Sequence, residues 1–288
     1  MKLDHADIST DEVKQWQGLH LLYFPLSSCS QKVRILLQEK RIPFTPHIIN
    51  LTKAEQTSSW FLGINPRGVV PVLVDNGEVH IESNDILCHL DREHPSEQLS
   101  LLPQNNAEQR EADSLLDQED KIHTHLRVIT MQYLAPTKIV RKSAQELKAY
   151  RENGDRNDYR QKQVDWWHEF SNNGISTQQL NTAILAFHDA FLALNTRLET
   201  RPYLLTNRIT VVDISWFISI HRLVLAGYPL HLHPLLNDYY QRLLNRPHFR
   251  SEVSAGSLLI RLAGWLTRKI KGLSGTPLAT TCKDLTLI

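Results

Sequence analysis

The sequence lacks the features that mark secreted, membrane-spanning and nucleic-acid-binding proteins. Its 288 residues include only three cysteines, too few for a disulfide framework, which favours a reducing, cytoplasmic location. No run approaches the roughly 18 apolar residues of a membrane helix, and residues 1–18 lack the apolar stretch of a secretory signal. The net charge of +1 gives no overall attraction to nucleic acid. We therefore expect a soluble protein without a nucleic-acid partner.

The chain is long enough for two domains of ordinary globular composition. Hydrophobic residues make up 41% and charged residues 22%, which is sufficient for stable cores. Strand and helix patterns alternate up to about residue 96, and only helical patterns follow. We predict a flexible extension over 1–18, an α/β domain over 19–96 and an all-α domain over 97–288. A long polar insert is expected at about 137–174.

The predicted order of elements in the first domain is β-α-β-α-β-β-α, a mixed sheet covered by helices. An apolar run at 19–24 predicts the first strand, and helical periodicity at 30–40 predicts a helix capped by Ser30. The pair Asn76-Gly77 is typical of a two-residue hairpin turn. A helix follows over 83–93.

The segment from Ser27 to Ser30 lies between the first strand and the first helix. Backbone N–H groups at a helix start stabilise an anion, and a hydroxyl there can donate a hydrogen bond to a thiolate. Lowering a thiol pKa from about 8.5 to about 6.5 takes about 2.7 kcal/mol and makes roughly three quarters of it thiolate at pH 7. By itself, the same pattern is more often ordinary helix capping.

Two later segments have the chemistry to bind a peptide. Pro71 interrupts a predicted strand, so it belongs at a sheet edge or in a cis bond that frees the backbone of Val70 for an extended ligand. Ser83 begins a helix and can hold a carboxylate, while Glu82 can pair with an ammonium group. The alternative for this second pair is an ordinary helix cap beside a surface acid.

In this order, the segments resemble the N-terminal domain of glutathione transferases along residues 19–95. The loop at Ser27–Cys29 is similar to that of the zeta class. The run Ser30–Arg34 is also similar to the plant tetrachlorohydroquinone-dehalogenase-like class and to the ganglioside-induced differentiation-associated protein 1 group. The segment Asp213–Leu223 and the long insert resemble the last group more closely. The resemblance implies the glutathione transferase fold, with a thioredoxin-like domain followed by a helical one.

The resemblance also implies glutathione as co-substrate and assigns residues to it. Ser27 is expected to face the sulfur, and Cys29 either forms a mixed disulfide with glutathione or is an inert thiol. Val70 is expected to pair with the cysteinyl backbone. The expected glutathione-binding residues are Ser27, Ser28, Gln56, Val70, Pro71, Glu82 and Ser83.

The remaining functional residues are less sharply indicated. We expect Tyr133, Trp166 and Trp167 to line a pocket for a hydrophobic electrophile. No metal site is expected, because His123 and His125 lie two residues apart and point to different faces of a helix. For the basic, amphipathic C-terminal helix, packing over the second domain or the mouth of the site is favoured over contact with a membrane surface or a partner helix.

The resulting functional hypothesis is a homodimeric, detoxifying glutathione transferase that activates the glutathione thiol for attack on hydrophobic electrophiles. A glutathione-dependent isomerase, reductive dehalogenase or thiol lyase is a second hypothesis, prompted by Cys29. A binding protein without catalysis on the same fold is a third, prompted by the resemblance to the differentiation-associated group and by the long polar insert. Fold alone does not choose between the three.

Overall fold

A computed structural model describes residues 1–95, 99–103, 105–135, 140–152, 158–254, 257–273, 278 and 282. The chain divides into two compact units. The first comprises Met1–His94 with Val140–Gly174, and the second comprises Pro95–Ile139 with Ile175–Ile288. The insert that was expected within the helical domain therefore belongs to the first unit over Val140–Gly174.

The first unit is built on a four-stranded mixed sheet with the order β2-β1-β3-β4. Strand β1 is parallel to β2 and antiparallel to β3, and β3 is antiparallel to β4. The strands are β1 Leu19–Tyr23, β2 Thr45–Ile48, β3 Val72–Asp75 and β4 Glu78–His80. The helices are α1 Ser28–Glu39, α2 Ser59–Leu62 and α3 Ser83–Glu93, joined by α5 Ala144–Glu152 and α6 Asp158–Asn173 from the insert. Together these elements form the expected mixed sheet with helices.

The local signals read from the sequence account for most of these elements. Asn76 and Gly77 both have positive φ, as a tight two-residue turn between β3 and β4 requires, so the predicted hairpin is confirmed. Helix α1, however, begins at Ser28 and is capped by Ser27, so the expected cap at Ser30 is wrong. Ser30 is instead fully buried in the first turn.

Residues 1–18 pack against the rest of the first unit and do not form the expected flexible extension. The N–H of Leu3 donates to the carbonyl of Val79 at 2.9 Å, and the side chains of Ile8 and Val13 are buried. The N–H groups of Ser9 and Thr10 both donate to the carbonyl of Gly63. Irregularly spaced apolar residues in short 3₁₀ turns gave no periodic signal, which explains the error.

The second unit consists of helices around the central helix α8. Its helices are α4 Asn106–Tyr133, α7 Thr177–Arg197, α8 Val211–Ala226, α9 Pro234–Leu244, α10 Pro247–Ser254 and α11 Ser257–Leu273. Helix α4 packs against both α7 and α8. Thr210 and Asp213 form a capping box at the start of α8, with the Thr210 N–H 2.7 Å from the Asp213 carboxylate. The Asp213 carboxylate also accepts from the Tyr239 hydroxyl, which ties α9 to the start of α8.

The C-terminal helix α11 contacts α8 and α4, in line with the expected packing over the second domain. The side chains of Leu262, Trp265, Leu266 and Ile270 are nevertheless exposed to solvent. In the part of the chain that the structure describes, no helix combines the length and apolarity needed to cross a bilayer.

Candidate active site

The predicted binding segments follow strand ends that meet at one edge of the sheet. In the parallel pair, Tyr23 at the end of β1 lies beside Ile48 at the end of β2. In the antiparallel pair, Leu22 lies beside Val72, the first residue of β3. His80, the last residue of β4, pairs with Leu73 near that same end. The loops that carry the predicted residues therefore start or finish along a single edge.

Helices α1 and α3 run parallel, with their N-terminal ends on the same side. The ammonium of Lys32 lies 3.4 Å from the side-chain oxygen of Asn84, which links the early turns of the two helices. Towards their other ends, the ammonium of Lys40 is ion-paired with the carboxylate of Asp91. The residue nearer the start of α1 contacts the residue nearer the start of α3, and the later residues contact each other. The starts of α1 and α3 therefore lie side by side. Two sets of helix-start N–H groups, at Ser28 and Ser83, therefore face the same region.

Ser27 holds the first of these helix starts. Its Oγ accepts a hydrogen bond from the N–H of Ser30 at 3.3 Å, as an N-cap residue does. A hydroxyl has one proton to donate and two lone pairs, so this role leaves the Ser27 proton available to a ligand. Ser27, Ser28 and Cys29 are all partly exposed. The Oγ of Ser30 is buried and has no hydrogen-bond partner among the described residues.

Val70 and Pro71 lie just outside the strand ladder. The bond between them is cis, which decides between the two alternatives raised by the sequence. The described pairing of β3 with β1 begins at Val72, so Val70 precedes it. Asn65 is fully buried, and its side-chain amide donates to the carbonyl of Val69 at 2.8 Å, which fixes the approach to Val70.

Glu82 is ion-paired with Arg67, a residue that the sequence analysis did not assign to the site. The Arg67 guanidinium also lies 4.9 Å from the ring centroid of Tyr159, which belongs to the insert. Glu82 itself has a φ of +65° immediately before α3, where Ser83 is buried as the first helical residue. In the sequence, Arg67 is only a basic residue in the turn before Val70. Its ion pair with Glu82 joins residues 15 positions apart, and no local sequence pattern predicts such a contact.

Gln56 lies in a short 3₁₀ turn between β2 and β3 and is largely buried. Its side-chain carbonyl oxygen has no hydrogen-bond partner among the described residues. Since a buried acceptor without a donor is costly, a ligand N–H at this point would be stabilising.

The three residues expected to line the electrophile pocket belong to different units. Trp166 and Trp167 pack with Phe170 inside the insert, and the ammonium of Lys142 lies 4.7 Å from the Trp167 ring. Tyr133 is buried in the helical unit, where burial and the nearby Cys282 raise the pKa of its hydroxyl to about 12. Their shared role at one pocket remains a prediction.

Two family models match the chain, in the order that the two predicted domains require. The N-terminal domain of glutathione S-transferases matches residues 26–93. The C-terminal domain of glutathione S-transferases matches residues 177–242. The first match contains every residue that the resemblance assigned to glutathione.

Curated relatives are similar to a part of the chain. A zeta-class glutathione S-transferase of Euphorbia esula is 43% identical over 77 residues, which is 27% of this chain and 34% of that protein. A maleylacetoacetate isomerase of Aspergillus fumigatus is 50% identical over 48 residues, 17% of this chain and 21% of that protein. The chain thus spans about a third or less of these relatives.

Solved structures share the fold over most of the chain at low identity. The β-etherase LigF of Sphingobium has a TM-score of 0.72 and 23% identity, covering 82% of this chain and 99% of that one. A glutathione transferase homologue of Drosophila mojavensis with bound glutathione has a TM-score of 0.65 and 20% identity, covering 87% and 97%. The two family models, the curated relatives and the shared fold agree: the chain belongs to the glutathione transferase superfamily.

Proposed function

We propose that this protein is a glutathione transferase that binds glutathione along the common sheet edge and holds its sulfur as a thiolate at the start of α1. The single observation that supports this most strongly is the parallel arrangement of α1 and α3, which brings two helix starts together. Glutathione carries a thiol and two carboxylates on one short peptide, so it offers an anion to each of them.

At the first helix start, the Ser27 hydroxyl and the positive end of the α1 dipole stabilise the thiolate over the thiol. A shift of two pKa units corresponds to about 2.7 kcal/mol, which one helix start and one or two hydrogen bonds can supply. The reaction then needs little further chemistry from the protein. The preformed thiolate attacks the electrophilic carbon of a bound substrate, forming a C–S bond as the leaving group departs with the bonding electrons.

At the second helix start, the buried Ser83 is placed to bind the γ-glutamyl carboxylate through its N–H and hydroxyl. Arg67 holds one oxygen of the Glu82 carboxylate, and a carboxylate has further lone pairs for the γ-glutamyl ammonium. The orphaned oxygen of Gln56 is an acceptor, so it suits a peptide N–H of the ligand better than the glycine carboxylate. Val70 remains the expected backbone partner of the cysteinyl unit.

A second candidate function is a glutathione-dependent isomerase. Cys29 lies in the first turn of α1, partly exposed, and a maleylacetoacetate isomerase is among the similar proteins. In an isomerase, the thiolate adds to a conjugated double bond, the resulting single bond rotates, and elimination returns the glutathione. This route requires the same thiolate at α1, so the two candidates share a site and differ in substrate.

Titration of the bound glutathione thiol tests the proposal. The ultraviolet absorbance of the thiolate is followed against pH in the full chain saturated with glutathione, with the spectrum of the chain alone subtracted. We expect an apparent pKa of about 6.5, against about 8.5 for an ordinary thiol. Binding with an unshifted thiol pKa would overturn the catalytic proposal, and absence of binding heat in calorimetry would favour a non-catalytic protein.

The cellular setting belongs to the same proposal. A cytoplasmic, homodimeric protein that conjugates hydrophobic electrophiles in detoxification is consistent with the family and with the state of Cys29, Cys88 and Cys282, which form no disulfide in the described part of the chain.

A further inference from the structure

Helix α11 presents an apolar stripe that the described part of the chain leaves uncovered. Trp265, Leu266 and Ile270 lie three, four and eight residues after Leu262, so the four side chains lie along one face of the helix. Their relative exposures are 60%, 48%, 52% and 59%. Contiguous exposed apolar side chains of this size usually mark a contact surface.

The stripe faces away from the helical unit. Gly264 is buried and Ile260 is partly buried, on the side of α11 that contacts α8 and α4. These two residues lie roughly opposite the stripe around the helix, at about 100° per residue. The helix is therefore held on the side of Ile260 and Gly264, while the apolar stripe points outward.

The charge of α11 indicates the chemistry of its partner. The helix has 17 residues, none of them acidic and four of them basic: Arg261, Arg268, Lys269 and Lys271. Arg261 and Lys269 are exposed, and the Lys269 ammonium lies 4.6 Å from the ring centroid of Trp265. A tryptophan beside a lysine at the border of an apolar stripe is typical of the boundary between lipid acyl chains and head groups.

Other occupants of this face fit less well. A second copy of the chain would place two helices without acidic residues against each other, and their basic side chains would repel. One face of a single helix is also smaller than the roughly 800 Å² that each partner contributes to a standard protein interface.

We propose that α11 lies in the plane of an anionic phospholipid surface and attaches this protein to it reversibly. The stripe enters the acyl boundary, and the basic side chains contact lipid phosphates and carboxylates. Hydrophobic burial supplies the attachment, and charge supplies the preference for anionic lipid. This function is independent of glutathione binding, which takes place in the first unit.

Vesicle co-sedimentation of the full chain tests this proposal. Vesicles of phosphatidylcholine alone are compared with vesicles containing about 30% phosphatidylserine, at low and high salt. We expect at least about tenfold tighter binding to the anionic vesicles, weakened by salt. The double variant Leu262→Asp/Leu266→Asp should lose about tenfold or more of this binding. Arg261→Glu/Lys269→Glu should lose a similar factor while keeping the apolar stripe.

The matched control is Leu192→Asp, which changes a leucine of α7 that is 48% exposed outside the stripe. It should bind vesicles like the parent chain, and circular dichroism should show unchanged folding in all variants. The proposal is overturned if both vesicle types bind equally, if the stripe variants bind like Leu192→Asp, or if neither vesicle binds. Self-association of the parent chain in sedimentation velocity, abolished by the stripe variant without vesicle binding, would assign the face to a second copy instead.

Discussion

The guanidinium of Arg67 is ion-paired with the carboxylate of Glu82, the residue immediately before helix α3. Glu82 has a φ of +65°, a conformation that residues with a side chain rarely adopt. Such a backbone costs of order 1 kcal/mol or more unless the surroundings impose it. The position of the Glu82 carboxylate is therefore maintained against a local stability cost, as is common at binding sites.

Replacing Glu82 should affect the stability of the fold and the affinity for glutathione in different ways. Glu82→Gly should unfold at the same or higher urea concentration, because glycine adopts positive φ without strain, with a gain of up to about 1 kcal/mol. The same variant should bind glutathione roughly tenfold more weakly in calorimetry, because the ammonium partner is lost. Glu82→Gln is the control, since it keeps the backbone strain and removes only the charge. Unchanged affinity in both variants would refute the role assigned to Glu82.

Substitutions at Ser27 should distinguish capping from catalysis. Ser27→Ala should lose about 1 kcal/mol of stability through the missing N-cap and about a hundredfold in turnover. Ser27→Asp should keep the cap, because a carboxylate accepts from Ser30, yet it has no proton for the thiolate and repels it. Steady-state rates with an aryl halide and urea unfolding measure the two effects. Ser27→Thr retains both functions and should stay within a few-fold of the parent. If Ser27→Asp proved as active as the parent, the hydroxyl would have no catalytic role.

The ion pair between Lys40 and Asp91 should be important for stability, because their side chains are only 1% and 3% exposed. Lys40→Met leaves the carboxylate buried without its lysine, and we expect a loss of about 3–5 kcal/mol in urea unfolding. Adding Asp91→Asn should restore part of this loss. Lys121→Met breaks an exposed pair with Asp117 and should change stability by less than about 0.5 kcal/mol. Equal effects of the buried and exposed substitutions would contradict this view.

Acid should destabilise the protein through buried histidines such as His233. Burial, reinforced by the neighbouring His188, lowers the pKa of His233 to about 4 from an ordinary value of 6.5. Below pH 6.5 the His233 imidazole is protonated in the unfolded chain but stays neutral in the folded chain. The free energy of unfolding therefore falls as the pH falls towards 4. The expected loss is about 2 kcal/mol at pH 5 for this residue.

Denaturant unfolding at several pH values checks the contribution of His233. His233→Phe keeps an aromatic ring beside Phe191 and should flatten the slope between pH 7 and 5. His231→Asn, at an exposed position two residues away, should leave the slope unchanged. A parent-like slope in His233→Phe would assign the acid sensitivity to other groups.

Gly63 should be essential for docking residues 1–18. A Cβ at this position would lie 2.2 Å from Oγ1 and 3.0 Å from the backbone nitrogen of Thr10. Gly63→Ala should therefore release the segment and raise amide hydrogen exchange at Ser9 and Thr10, whose N–H groups bond to the Gly63 carbonyl. Gly63→Ala/Thr10→Ala removes the closest clash and should recover part of the protection. Unchanged exchange in Gly63→Ala would mean that the segment docks independently of this contact.

The amino-acid sequence by itself determined the local features of this protein. The Asn76-Gly77 turn, the helix beginning at Ser83 and the Thr210–Asp213 capping box each depend on residues close together in the chain, where local preferences decide. The predicted binding segments have local signals for the same reason, because each occupies a loop next to a strand or helix end.

Only the tertiary structure decided how distant segments meet. Strand register brought the loops of Ser27, Val70 and Glu82 to one edge, and the parallel packing of α1 and α3 joined their starts. The partnership of Arg67 with Glu82, the docking of residues 1–18 and the exposed face of α11 all depend on contacts between separated residues. Such contacts form only when distant segments pack into one core that excludes water. Local sequence patterns do not specify which distant residues will become neighbours in that core.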